Sequence, residues 1–269
     1  MPIKKDETGK RWVEMELIVP GTPEQVWQAI ATGPGYTAWF TPATIDERVG
    51  GAIRFGMGEN GESQGEVTVW EPPFRFGYVE RDWAVGAPPL ATEITVTARS
   101  GDRCVIRMVH SLFTSADDWD DQMEGFEGGW PGFFEVLRLY LSHFAGMNAA
   151  VIFAKTSVKA SRLDVWKRLI EGFGLAGVDA GEEGTAPQTP EPLSGIVERV
   201  QQGDRERYVL LRLKQPSPGI ALIGTYGMGD ASNASMALYL YGDDAGQRAA
   251  ASEAGWRDWF RETLGQASR

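Results

Sequence analysis

The chain has 269 residues, 42% hydrophobic and 23% charged, with 2 His, 1 Cys and a formal net charge of −11. One cysteine excludes an intramolecular disulfide framework and a cysteine-built zinc site, and two histidines leave little material for a His-rich metal centre. With 37 Asp+Glu against 26 Lys+Arg, nucleic-acid binding has no electrostatic support.

The start, MPIKKDETGK, is polar and holds no signal-peptide core, and no uncharged 18-residue apolar run occurs. A cytoplasmic protein without a membrane span is the expectation. The acid is unevenly spread: residues 1–148 hold 12 Lys+Arg and 22 Asp+Glu, whereas residues 149–269 hold 14 and 15. That asymmetry points to two units with different surfaces, and a repeat supports it.

The first unit opens with Trp12–Val19, whose Val13, Met15, Leu17 and Val19 share one face at period two, as in a half-buried strand. Thr22 can cap a helix with Pro23 at its first position. Val26, Trp27 and Ile30 give that helix an apolar face. Gly33-Pro34-Gly35 breaks it, and a short second helix is expected at Tyr36–Phe40. Strands are expected near Thr44–Arg48, Ala52–Met57, Gly65–Trp70, Arg75–Arg81, Thr92–Ala98 and Arg103–Phe113. Gly50-Gly51, Gly58–Gly61 and Ser100-Gly101-Asp102 supply the turns. A long helical pattern from about Ala116 to Phe144 closes the unit. Thr114 or Ser115 can cap it, and Pro131 is expected to interrupt it, so the continuous part begins near Trp130.

The second half repeats this order. Val151–Val158 alternates, and Ser161–Phe173 is an amphipathic helix with Val165-Trp166 where the first half has Val26-Trp27. Strands are expected at Gly195–Val200, Tyr208–Lys214, Gly219–Tyr226 and Ala234–Tyr241. A helix at Gln247–Leu264 carries Gly255-Trp256 in place of Gly129-Trp130. A Gly/Pro/Thr-rich stretch, Glu182–Pro192, stands where one hairpin is reduced or lost. The expected domains are residues 10–146 and a shortened 149–266. The fold class is α+β: two tandem helix-grip domains, each a curved antiparallel sheet wrapped around a long C-terminal helix.

Several local marks carry a family resemblance. They are Pro23-x-x-Val26-Trp27, Trp39-Phe40, Gly50-Gly51-x-x-Arg54-Phe55, Gly65-x-Val67, Glu71-Pro72-Pro73-x-x-Phe76-x-Tyr78, Val109-His110-Ser111-x-Phe113 and Gly129-Trp130. In this order they resemble the START-related (SRPBCC) superfamily, in the branch similar to the activator of heat-shock protein 90 ATPase, C-terminal type. The second half is similar to a degenerate copy. The resemblance implies a hydrophobic cavity between sheet and helix. It also implies three kinds of role: binding a small apolar or aromatic molecule, polyketide cyclase or aromatase chemistry, or interaction with a chaperone ATPase. Fold alone does not choose among them.

Strand alternation places Phe55, Met57, Phe76, Tyr78, Glu80, Ile106, Met108 and His110 on inward faces, with Trp130, Phe133, Phe134 and Leu137 facing them from the long helix. This lining suits an apolar or aromatic ligand, and equally a filled core. Glu80 and His110 are its polar members and the candidate proton carriers for a bound carbonyl compound. The simpler reading makes His110 a core histidine paired with a backbone carbonyl or the Ser111 hydroxyl, and puts Glu80 at the solvent rim. The acidic run Asp117–Glu127 departs from an EF-hand loop and reads as a solvated helix start. Cys104 reads as a buried small hydrophobe. In the second unit Tyr208, Tyr226, Tyr239 and Tyr241, with Met228 and Met236, are candidates for a smaller pocket. No cofactor or metal is expected. The expected partners are a small apolar or aromatic molecule and, alternatively, a protein partner or a second copy.

Overall fold

The computed structural model describes residues 3–7, 9–56, 61–81, 83, 86–114, 119–203, 206–228 and 231–265. The chain divides into two compact units, Met1–Gly146 and Met147–Arg269.

The first unit runs β1 (Lys4–Lys5), β2 (Lys10–Pro20), α1 (Pro23–Ala31), α2 (Gly33–Thr37), β3 (Ala43–Ile45), β4 (Ala52–Gly56), β5 (Glu62–Glu71), β6 (Arg75–Glu80), β7 (Leu90–Arg99), β8 (Arg103–Phe113) and α3 (Asp120–His143). Its eight strands are antiparallel in the order β1-β2-β8-β7-β6-β5-β4-β3. Hairpins join each consecutive pair from β3 to β8. The β7–β8 turn uses Gly101 and Asp102 with φ of 74° and 48°, a conformation that glycine adopts freely and aspartate tolerates. The predicted tight turn at Gly50-Gly51 is the end of a longer loop, 46–51. There a Cβ on Gly51 would lie 2.2 Å from the Asp46 carbonyl oxygen.

α1 forms as the sequence implies. The Thr22 hydroxyl accepts from the Gln25 N–H and the Gln25 side chain accepts from the Thr22 N–H, a reciprocal cap, with Pro23 in the first turn. Two expectations for α3 fail. Its N-cap is Trp119, without a side-chain capping bond. Thr114 is instead tied to the start of β2, its N–H donating to the Gly9 carbonyl and its carbonyl accepting from Arg11 Nε at 3.2 Å. The helix also runs unbroken through Pro131. A proline inside a helix costs about 3 kcal/mol through its missing N–H and its ring. The ring contacts of Trp130, Phe133 and Phe134 described below offset that cost.

The second unit runs β9 (Ala149–Val158), α4 (Arg162–Gly172), β10 (Glu183–Ala186), β11 (Leu193–Gln202), β12 (Glu206–Gln215), β13 (Gly219–Met228), β14 (Ala231–Tyr241) and α5 (Ala245–Gly265). The sheet order is β10-β11-β12-β13-β14-β9. Ser161 caps α4, accepting from the Asp164 N–H at 3.2 Å. Strand for strand, β9 to β14 repeat β2 and β4 to β8. The stretch read as a loop contains one short strand, β10, where the first unit has the β3–β4 hairpin. A counterpart of α2 is missing among the described residues. Both units thus have the helix-grip plan, and the second is trimmed at one sheet edge.

Candidate functional site

The inner face of the first sheet is organised in rows of directly paired residues. One row runs Val13–His110–Thr92–Tyr78–Val67 across β2, β8, β7, β6 and β5. The next runs Ile53–Gly65–Glu80–Leu90–Leu112. Tyr78 and Glu80 are two residues apart on β6, so the pleat puts them on the same face. Ser63 is two residues before Gly65 and reaches Glu80 diagonally, its hydroxyl donating to a Glu80 carboxylate oxygen. Gly65 itself is forced, because a Cβ there would lie 2.5 Å from the Val79 carbonyl oxygen.

All of these polar groups are buried: Ser63, Tyr78, Glu80, Thr92 and His110 are each at most 7% exposed. Glu80 is therefore not at the solvent rim, because β6 carries it on the same inward face as Tyr78. His110 pairs with a threonine hydroxyl. Its Nδ1 lies 2.8 Å from Thr92 Oγ1, directly opposite on β7. Burial pushes the His110 imidazole down from its ordinary 6.5 to about 4, so it is neutral near pH 7. Burial also pushes the Glu80 carboxyl up, and the Ser63 hydroxyl partly opposes the rise.

The site gains a residue that strand alternation could not reveal. Tyr36, on α2, is fully buried in ring contact with Phe55 at 5.2 Å and Trp39 at 5.5 Å. Burial raises its phenol above the ordinary 10, with the Glu80 carboxylate adding to the rise. Burial likewise raises Tyr78, whose hydroxyl neighbours Tyr36 and Thr92.

α2 is locked in place by short-range chemistry. Thr32 Oγ1 accepts from the Gly35 N–H at 3.1 Å and donates to the Gln28 carbonyl at 2.7 Å. Trp39 Nε1 donates to the Ala29 carbonyl at 2.9 Å. A Cβ on Gly35 would sit 1.9 Å from the Gln28 carbonyl oxygen, so only glycine lets α2 fold back on α1 this closely.

Aromatic rings surround the polar groups. Phe55, Phe76, Tyr78 and Met108 are buried on the sheet, and Trp130, Phe134 and Leu137 are buried on α3, with Phe133 half-buried. Trp130 stacks on His110 at 5.3 Å and on Phe40 at 4.8 Å, and Phe133 meets Phe40 edge-on at 5.0 Å. Trp39 lies 6.5 Å from Phe134. Each such pair contributes about 0.5–1.5 kcal/mol beyond the area it buries. Met57 lies outside the described residues, as does the structure of Asp117 and Asp118. Cys104 is buried, as expected for a small hydrophobe.

The second unit has the same grid without the polar groups. From the matching pairing with Gly195, the positions of Ser63, Tyr78, Glu80, Thr92 and His110 are occupied by Leu193, Leu211, Leu213, Ala221 and Leu238. All five are buried in one apolar cluster with Trp256 and Phe260. Tyr208, Tyr226, Tyr239 and Tyr241 alternate with the inward residues, so they do not share the face of Met236. This unit instead carries an open cleft of about 560 Å³, lined by Pro190, Glu191, Asp244, Gln247, Arg248, Ala251, Ser252 and Gly255. Arg248 there is already paired with Asp244 at 2.7 Å and Glu191 at 3.4 Å.

Fold and site together define a tandem pair of helix-grip α+β domains in which the first encloses a buried polar row. The family model described as "Activator of Hsp90 ATPase homolog 1-like protein" matches residues 20–142, most of the first unit. No curated protein sequence matches the chain. Among solved structures, DynU16, from the dynemicin biosynthetic locus, is 15% identical over 94% of this chain and 95% of its own, with a TM-score of 0.43. The di-domain ARO/CYC protein BexL, from the BE-7585A biosynthetic pathway, is 11% identical over 96% of this chain and all of its own, with a TM-score of 0.45. The Aha1 dimer from Colwellia psychrerythraea is 20% identical over 49% of this chain and 96% of its own, with a TM-score of 0.42. Among the described residues, no helix is long and apolar enough to cross a membrane, and no group of three or more acidic, His or Cys residues is placed to hold a metal ion.

Proposed function

We propose that the first unit binds an apolar, aromatic small molecule on the inner face of its sheet, against α3. The observation that supports this reading is the difference between the two grids. Burying a hydroxyl, an imidazole or a carboxyl costs desolvation that the hydrogen bonds among them only partly return, and the second unit shows that the same plan closes with leucine and alanine instead. Polar groups kept under an aromatic lining serve to orient something that enters.

The test is a titration of the full chain with 2-isopropenylnaphthalene, followed in methyl-labelled NMR spectra. The expected result is saturable binding that shifts the Met15 and Met108 methyls of the first unit and leaves Met236 unchanged. Absence of saturation, or shifts confined to Met236, overturns the proposal.

The burial of Glu80 beside Tyr36 favours a second reading: carbonyl chemistry with Glu80 as proton carrier and His110 as a neutral acceptor. In that reading Glu80→Gln keeps affinity for a substrate and loses at least tenfold in turnover, measured as kcat. Unchanged kcat in both Glu80→Gln and His110→Ala removes it.

A further inference from the structure

The Tyr36 hydroxyl is fully buried, with the Tyr78 hydroxyl turned toward it as a donor, and its own O–H meets no acceptor at hydrogen-bond geometry. Its neighbours explain why. The rings of Trp39, Phe40, Phe55 and Phe76 enclose the side chain; of the polar groups beside it, the Tyr78 hydroxyl accepts from Thr92 and donates toward Tyr36, and the Glu80 carboxyl accepts from Ser63. A phenylalanine would fill the same space without stranding a donor. The fold nevertheless holds Tyr36 rigidly, through Thr32, Gly35 and the Trp39 indole, at the point where α2 meets the polar row. The trimmed unit has neither an α2 counterpart among its described residues nor any of the polar positions. The free donor and the polar row occur together.

We propose that the Tyr36 hydroxyl donates to an oxygen of the bound molecule, so that the first unit selects aromatic compounds bearing a carbonyl or phenolic oxygen over hydrocarbons of the same shape. This rests on the binding function proposed above and names the ligand class for it. Tyr36 is then the specificity-determining contact, and the aromatic lining supplies the affinity common to both kinds of ligand. A site built to donate to an oxygen discriminates strongly against the analogue lacking it, because the buried donor is left unmade.

The experiment compares two isosteric probes, 2-acetylnaphthalene and 2-isopropenylnaphthalene, by calorimetric titration of the full chain and of Tyr36→Phe. The wild-type chain is expected to bind the ketone about tenfold more tightly. Tyr36→Phe is expected to bind the hydrocarbon as the wild type does and to lose the preference for the ketone. Equal affinities in the wild type, or an undiminished preference in Tyr36→Phe, overturn the inference while leaving the binding function standing. Failure of both probes to bind the wild-type chain overturns the two together. Thermal melts of the unliganded variant provide a check independent of ligand. An equal or higher Tm is expected when the unsatisfied donor is removed, and a fall of more than a few degrees shows that the hydroxyl is engaged inside the fold, against the proposal.

Discussion

Five matching cross-strand positions hold Ser63, Tyr78, Glu80, Thr92 and His110 in one unit and Leu193, Leu211, Leu213, Ala221 and Leu238 in the other. Both sets are buried, and both sheets hold the same order of strands over this region. The apolar set shows what the helix-grip plan requires to be stable. The polar set therefore reflects a demand other than folding, and it coincides with the extra hairpin and the extra helix that carries Tyr36. The trimmed unit acts as a reference state for the complete one.

This contrast can be broken most severely by moving a polar group into the wrong unit. Leu213→Glu places a carboxyl in a cluster that offers it no hydroxyl partner equivalent to Ser63. A loss of about 4 kcal/mol in urea denaturation is expected, whereas Glu80→Leu, toward the composition of the second unit, is expected to stay within about 1 kcal/mol of wild type.

The next largest effect is on pH dependence. His110 has a folded-state value of about 4 against an ordinary 6.5, so its contribution to stability is present above pH 6.5 and is lost as the pH falls through 4. The loss is on the order of 3 kcal/mol, and His110→Leu should abolish it in denaturation curves recorded from pH 8 to pH 4. Glu80 works in the opposite sense: its raised value gives a contribution present below the ordinary carboxyl range and lost as the pH rises through the folded value. A Glu80→Gln chain should therefore fall more steeply in stability on acidification than wild type does.

Gly35→Ala tests the fold-back of α2. The clash with the Gln28 carbonyl must move Tyr36, with about 2 kcal/mol of destabilisation and a loss of the ketone preference. Thr32→Ala, which removes only the hydroxyl that caps α2, should cost about 1 kcal/mol in the same denaturation assay and weaken the preference without ending it.

Much of this arrangement was legible in the chain. Period-two alternation put Phe55, Phe76, Tyr78, Glu80, Met108 and His110 on one face, and each is buried there. The pairing of Thr22 with Pro23 marked the start of α1, and Val165-Trp166 and Gly255-Trp256 marked the repeat. Three features were misread, each for a physical reason. The simpler reading puts Glu80 at the solvent rim, yet the pleat turns it inward, as alternation alone implies. Pro131 suggests a helix break, yet ring packing around Trp130 outweighs one lost backbone hydrogen bond. Thr114 suggests a cap, yet it is bonded to Gly9 and Arg11, more than a hundred residues earlier.

Alternation is a property of consecutive residues, so the chain by itself determined which strand side chains face inward. It could not determine which inward groups meet. The bonds of Ser63 with Glu80 and of Thr92 with His110 span 17 and 18 residues and depend on the register of two hairpins. The arrival of Tyr36 depends on how closely α2 approaches α1. Only the folded sheet, which brings distant strands within about 5 Å of one another, turns scattered polar residues into a single buried row.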